Sequence, residues 1–203
     1  MARLITEEEK KLADDMLERA MVAMKAIEHY DQETVDRLCR AVAWAAANEE
    51  TTIRLTNMSV DESDMGTRVP TKRFHILGIL RDALRQKSMG VIEEDPEKGL
   101  TKYAKPVGVI ASLIPVTNPV NTPIGLAIFA VKCKDAVIFS PHPRSKKTAF
   151  ETVRILRAAL KKQGVPEDLL QCIETPSIPL TNYLMSICDL TNATGGAAMV
   201  QAA

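Results

Sequence analysis

Apolar residues along this chain follow two spacings, and each predicts a different kind of element. In the first part they recur every three to four positions. Leu12, Met16, Ala20, Ala23, Met24 and Ile27 share one helical face, and Thr6 followed by Glu9 has the form of a capping box. A long helix is therefore expected from Thr6 to about His29–Tyr30. Asp31 can cap a second helix, in which Val35, Leu38, Val42 and Ala46 line up, and the two helices are expected to pack as an antiparallel pair. From Asn57 to Gln86 the period continues, interrupted near Gly66 and Pro70, with Phe74, Leu77, Leu80 and Leu84 on one side. Ser88 to Lys98 is polar, contains Gly90 and Pro96, and reads as a linker into an extended segment, Leu100 to Lys105.

The pattern then changes. Val107, Val109, Ile110, Leu113 and Ile114 form a nearly unbroken apolar run, and Ala136 to Phe139 form another, as expected of strands covered on both faces. Between them Thr122 can cap a helix with Pro123 at its first position. Ser145 can cap the next helix, whose buried stripe is Phe150, Val153, Leu156 and Leu160, with Gly164 and Pro166 as stop signals. A short strand at Gln171–Glu174, a helix at Ile178–Ile187 and a strand at Leu190–Ala193 complete the alternation. Gly195 to Ala203 reads as a helix that begins without a stop signal. The expected fold is α/β: N-terminal helices and linker over 1–98, then a parallel Rossmann-like sheet with helical crossovers over 99–203, incomplete at its C-terminal side.

Composition narrows the function. Across 203 residues, 26 Lys and Arg balance 26 Asp and Glu, so no overall basic field favours nucleic acid. The charged N-terminus has no apolar core of a signal peptide, and no apolar run reaches the roughly 18–20 residues of a membrane span. A cytoplasmic protein is expected. Cys39, Cys133, Cys172 and Cys188 have neither CxxC pairing nor His at ligand spacing, so no metal site or disulfide framework is indicated.

Ligands of open parallel sheets lie beyond the carboxyl ends of the strands, where turns expose N–H groups and helix N-termini. The turns Pro115-Val-Thr-Asn-Pro119 and Ser140-Pro-His-Pro-Arg144 follow the two strands, and Ala193-Thr-Gly-Gly196 follows the last one. In their order and separation these three blocks resemble the CoA-acylating branch of the aldehyde dehydrogenase superfamily. That branch includes the aldehyde half of bifunctional aldehyde/alcohol dehydrogenases and acetaldehyde, propionaldehyde and sulfoacetaldehyde enzymes. The resemblance covers the chain from about Thr6 onward, and enzymes of this kind are more than twice as long.

The resemblance implies reversible oxidation of a small aldehyde to an acyl-CoA, with NAD as cofactor and CoA as co-substrate. It makes Asn118 the side-chain donor to the oxygen that gains charge on the thiol adduct, with Thr117 as second choice, since hydrolytic relatives place their Asn one position earlier. A turn-forming role before Pro119 is the alternative for Asn118. Pro115, Ser140, Pro141 and His142 are assigned to the cofactor site, His142 as a shape and hydrogen-bonding residue between two prolines rather than an acid or base. Hydrolytic relatives commonly carry Lys at the position of Ser140; Ser lacks the charge to reach a 2′-phosphate, which favours NAD, although Arg144, Lys146 and Lys147 lie close enough in sequence to supply it for NADP. Thr194, Gly195 and Gly196 suit a turn at which a pyrophosphate approaches backbone N–H groups.

None of the four cysteines reads as the nucleophile, and the resemblance places the reactive thiol beyond Ala203. The extended segment at 100–105 is implied to be an arm for subunit association, so a homo-oligomer, or a partner chain carrying the missing half, is expected. Two other readings stay open: a non-catalytic module that binds nucleotide or assembles with a partner chain, and a truncated remnant without a role.

Overall fold

The computed structural model describes residues 3–70 and 72–203, the side chains of Ala198 and Ala202 excepted. Helix α1 spans Glu7–Ala26 and opens with the expected capping box, in which Thr6 Oγ accepts the Glu9 N–H and the Glu9 carboxylate accepts the Thr6 N–H. Helix α2 (Gln32–Ala47) is capped by Asp31 as expected, and Val35, Leu38, Val42 and Ala46 are buried. Asn48 ends α2 and caps α3 (Glu49–Ser63), a helix that starts eight residues earlier than Asn57 because one Asn supplies both the break and the new cap. Helix α4 covers Lys72–Leu84. Its expected stripe is rotated: Phe74 is 70% exposed, while Ile76 and Ala83 are buried.

The residues read as a linker form a strand. β1 (Gly90–Asp95) pairs antiparallel with β2 (Leu100–Ala104) in a separate two-stranded hairpin, so the division at 98/99 falls inside the hairpin's turn. Val107 lies outside the sheet, which begins with β3 (Val109–Ile114). The main sheet adds β4 (Ala136–Pro141), β5 (Leu170–Cys172) and β6 (Leu190–Ala193), all parallel, in the order β5-β4-β3-β6. β3 and β4 are buried at every position, as their unbroken apolar runs require.

Right-handed crossovers then fix the layers. Helix α5 (Asn121–Cys133) joins β3 to β4 and α6 (Lys146–Lys162) joins β4 to β5, both steps running the same way across the sheet; α7 (Ile178–Ile187) joins β5 back to β6 in the other direction. Helices α5 and α6 therefore cover one face and α7 the other. α2 packs against α4, α5 and α6, whereas α1 packs against α7, β3, β4 and β5. The expected α1–α2 pair does not form: each buries its apolar face against a different side of the sheet.

Two expected caps are replaced. The chain after Pro115 is already coiling, with Asn118 N–H donating to the Pro115 carbonyl and Thr122 N–H to the Asn118 carbonyl, so α5 starts at Asn121 and Thr122 lies inside it. Ser145 precedes α6 without capping it. The free N–H groups of Lys147 and Thr148 donate instead to the carboxylate of Glu62, in the last turn of α3, at 2.8 and 2.7 Å. Gly164 ends α6 at φ +72°, the left-handed conformation a helix stop needs. A short helix α8 (Ala197–Ala202) follows the Gly-Gly turn. No helix among the described residues is long and apolar enough to cross a membrane.

Candidate functional site

The sheet reverses its direction of growth at β3, since the first crossover leaves toward β4 and the last returns to β6 on the opposite side. At such a switch point the flanking loops diverge and leave a crevice at the carboxyl ends of the strands. A cavity of about 780 Å³ opens there, within the range of small-molecule sites. Its walls include Pro115 and Thr117 after β3, Ser140, Pro141 and His142 at the end of β4, and Thr194, Gly195 and Gly196 after β6. The three turns singled out by sequence thus share one rim.

Asn118 is half-buried and is not among the residues that line this cavity; its main chain holds the turn together through the bonds to Pro115 and Thr122. Thr117 is exposed on the rim. The Ser140 hydroxyl, 4% exposed, lies 2.7 Å from the Thr181 hydroxyl, so the floor carries a neutral hydroxyl pair. His142 is exposed, and its Nδ1 accepts the Arg144 N–H at 3.1 Å, capping the single 3-10 turn of residues 143–145. That bond uses Nδ1 as an acceptor and leaves Nε2 without a partner in the turn. Arg144 donates to the Ser63 carbonyl at 2.7 Å and does not line the cavity.

Sequence reasoning missed the contribution of α7. Pro176, Ser177, Ile178, Thr181 and Met185 form one wall, and Met199 of α8 another part. The signal was present in Ser177, which caps α7 by accepting the Leu180 N–H and so brings the first turn of that helix to the same edge. Gly196 sits at φ −66° with no atom within 4 Å of where a Cβ would be, so the wall beside it is bare backbone.

No carboxylate, Lys, Arg or cysteine is among the described residues lining the cavity. Burial pushes every thiol up: Cys39, whose Sγ donates to the Ile128 carbonyl, to about 12, Cys188 to about 11, and Cys133 and Cys172 in the same direction. A thiol so raised stays protonated at neutral pH and is a poor nucleophile. The arrangement can enclose a flat apolar ring, bond to sugar-like hydroxyls and bring backbone close to a bulky polar group.

A sequence model of the aldehyde dehydrogenase family matches residues 3–201, and the chain belongs to this family. A sulfoacetaldehyde dehydrogenase from an Acholeplasma species is 45% identical over 190 residues, covering 92% of this chain and 39% of the relative. The crystal structure of an acetylating aldehyde dehydrogenase from Geobacillus thermoglucosidasius superposes with a TM-score of 0.89 at 34% identity, over 96% of this chain and 44% of that one. An engineered glycolyl-CoA reductase with bound NADP+ superposes with a TM-score of 0.76 at 27% identity, over 94% and 44%. The chain thus spans about two-fifths of the length of these three proteins, and the relatives it matches include acylating and acetylating enzymes.

Proposed function

We propose that this chain forms the cofactor-binding portion of an NAD-dependent, CoA-acylating aldehyde dehydrogenase, cytoplasmic in location, which interconverts a small aldehyde and its acyl-CoA. The observation that carries the reading is the convergence of the turns at 115–117, 140–143 and 194–196 on one cavity at the sheet's switch point. The likeness to acylating enzymes supports the reaction class.

In this reading the apolar wall of α7 and Met199 receives the adenine, and the Ser140–Thr181 hydroxyls face the ribose. Gly196 lets the pyrophosphate approach the backbone, since no atom lies within 4 Å of where its Cβ would be, whereas the Met199 side chain lies over Gly195 and turns aside when the nucleotide binds. Pro115, Thr117 and Asn118 border the nicotinamide end, where Asn118, or Thr117 in its place, donates to the developing oxyanion. Asn118 does not line the cavity, so in this reading its side chain turns toward it when substrate is present. The reactive thiolate is not one of the four cysteines here, because all are protonated and away from the cavity. The hairpin, with Leu100 and Tyr103 exposed, serves subunit association.

That no carboxylate or thiol is among the described residues lining the cavity favours one second reading: a nucleotide-binding module that is inactive alone and assembles with a partner chain. Titration with NADH, followed by nicotinamide fluorescence, tests what the two readings share. The 203-residue chain is expected to bind NADH and to form none from aldehyde, CoA and NAD. Gly196→Val fits the backbone and open space at that position, so it should keep its thermal transition while losing about tenfold or more in NADH affinity. Unchanged affinity in this variant, or turnover by the wild-type chain, contradicts the assignment.

A further inference from the structure

Helix α6 begins directly after the turn whose His142 and Pro143 line the cavity, and its N-terminus is not closed by its own cap residue. Glu62 reaches across from α3: one carboxylate oxygen accepts the Lys147 N–H at 2.8 Å, and the other accepts the Thr148 N–H and hydroxyl, both at 2.7 Å. The carboxylate sits where a helix of 17 residues concentrates positive potential. Arg144 closes the same clasp in reverse by donating to the carbonyl of Ser63, the last residue of α3.

We propose that Glu62 is a specificity-determining residue of the dinucleotide site: its fixed negative charge beside the 142–145 turn disfavours a 2′-phosphate on the adenosine ribose and selects NAD over NADP. The inference rests on the cofactor reading given above. Lys146 and Lys147 follow the turn, Lys147 exposed, and together with bare N–H groups at a helix start they would attract a phosphate. Glu62 occupies those N–H groups and offsets the lysines. Arg144, the nearest cation in sequence, is held by the Ser63 carbonyl outside the cavity lining. What remains toward the ribose is the neutral Ser140–Thr181 pair, which suits a free diol and gives a phosphate no counter-charge.

A purely structural role makes a different prediction. If Glu62 only steadies the turn, its loss weakens NADH and NADPH alike. If its charge selects, the loss changes their ratio.

The test is a fluorescence titration of the 203-residue chain with NADH and with NADPH, on the wild type, Glu62→Gln, Glu62→Asp and Arg144→Met. The wild type should prefer NADH. Glu62→Gln should narrow that preference about tenfold, chiefly through tighter NADPH binding, and Glu62→Asp, which keeps the charge, should stay within about twofold of the wild-type ratio. Arg144→Met should lower the thermal midpoint without changing the ratio; should Glu62→Gln fail to fold, the wild type itself reads the question, since NADPH binding as tight as NADH binding overturns the role of Glu62. An unchanged ratio in a folded Glu62→Gln, or a selective loss of NADPH in Arg144→Met, overturns the role of Glu62 and Arg144 while leaving the cofactor site intact. A wild-type chain that binds neither nucleotide overturns the cofactor reading itself, and this inference with it.

Discussion

Gly108 has φ +116°, and a Cβ there would lie 2.1 Å from Asp189 Oδ2, the atom that accepts the Val109 N–H at 2.8 Å. Gly108→Ala must therefore both strain the backbone and push Asp189 off the start of β3. A loss of about 2–3 kcal/mol is expected in urea denaturation, and a change under about 0.5 would mean that Asp189 moves freely. The neighbouring Asp135 accepts the Val107 and Gly108 N–H groups at 2.7 and 3.1 Å, yet burial raises its carboxyl to about 6. A raised carboxyl favours the protonated form in the folded state, so its contribution to stability falls as pH rises from about 4 through about 6. Asp135→Asn retains an acceptor and removes the charge. The difference in stability between this variant and wild type should grow in favour of Asn across that window; a constant difference from pH 4 to 7 would contradict the assignment. None of this was legible in sequence, because the partners of Gly108 and Asp135 come from separate loops that only the folded sheet brings together. By contrast, the raised thiols of Cys39, Cys172 and Cys188 were readable from their apolar segments, whereas Cys133 stands between Lys132 and Lys134 and only its burial in the fold raises it.

Elements were most legible where their signals are local. The capping box of Thr6 and Glu9, the Asp31 cap, the Gly164 stop and the bounds of α7 and β6 all follow from residues within a few positions. Thr6→Ala removes the acceptor for the Glu9 N–H and should cost about 1 kcal/mol by chemical denaturation, with a null effect showing that the first turn frays regardless. Ser145 and Thr122 illustrate the opposite case. Both have the right side chain in the right place, but the orphan N–H groups of α6 go to Glu62, more than 80 positions away, and α5 is preceded by a turn that already carries helical bonds. Likewise, the polar stretch from Gly90 was read as a linker because a two-stranded hairpin with both faces exposed lacks the apolar alternation that marks a half-buried strand.

At the scale of the whole molecule, the amphipathic stripe of a helix says that one face is buried, not against what. That is why α1 and α2 read as a pair although the sheet separates them, α1 lying with α7 and α2 with α5 and α6. The sheet itself was readable from its unbroken apolar strands and the alternation of elements, and so was the edge at which the cavity opens, because parallel connectivity forces every post-strand turn to the same end. The walls from α7 and Met199 escaped, as their residues lie along helices rather than gathered in a turn. A second cavity of about 380 Å³, lined by Met21, Met24, Lys134 and Asp189, lies at the opposite edge, beside the start of β3. It gives the central claim a competitor within the same molecule. Backbone amide NMR of the 203-residue chain titrated with NAD separates the two. Shifts are predicted at Val116, Thr117, Ser140, His142, Thr181, Gly195 and Gly196, with Gly108, Val109 and Asp189 unmoved; shifts confined to the latter three, or none at all, would contradict it.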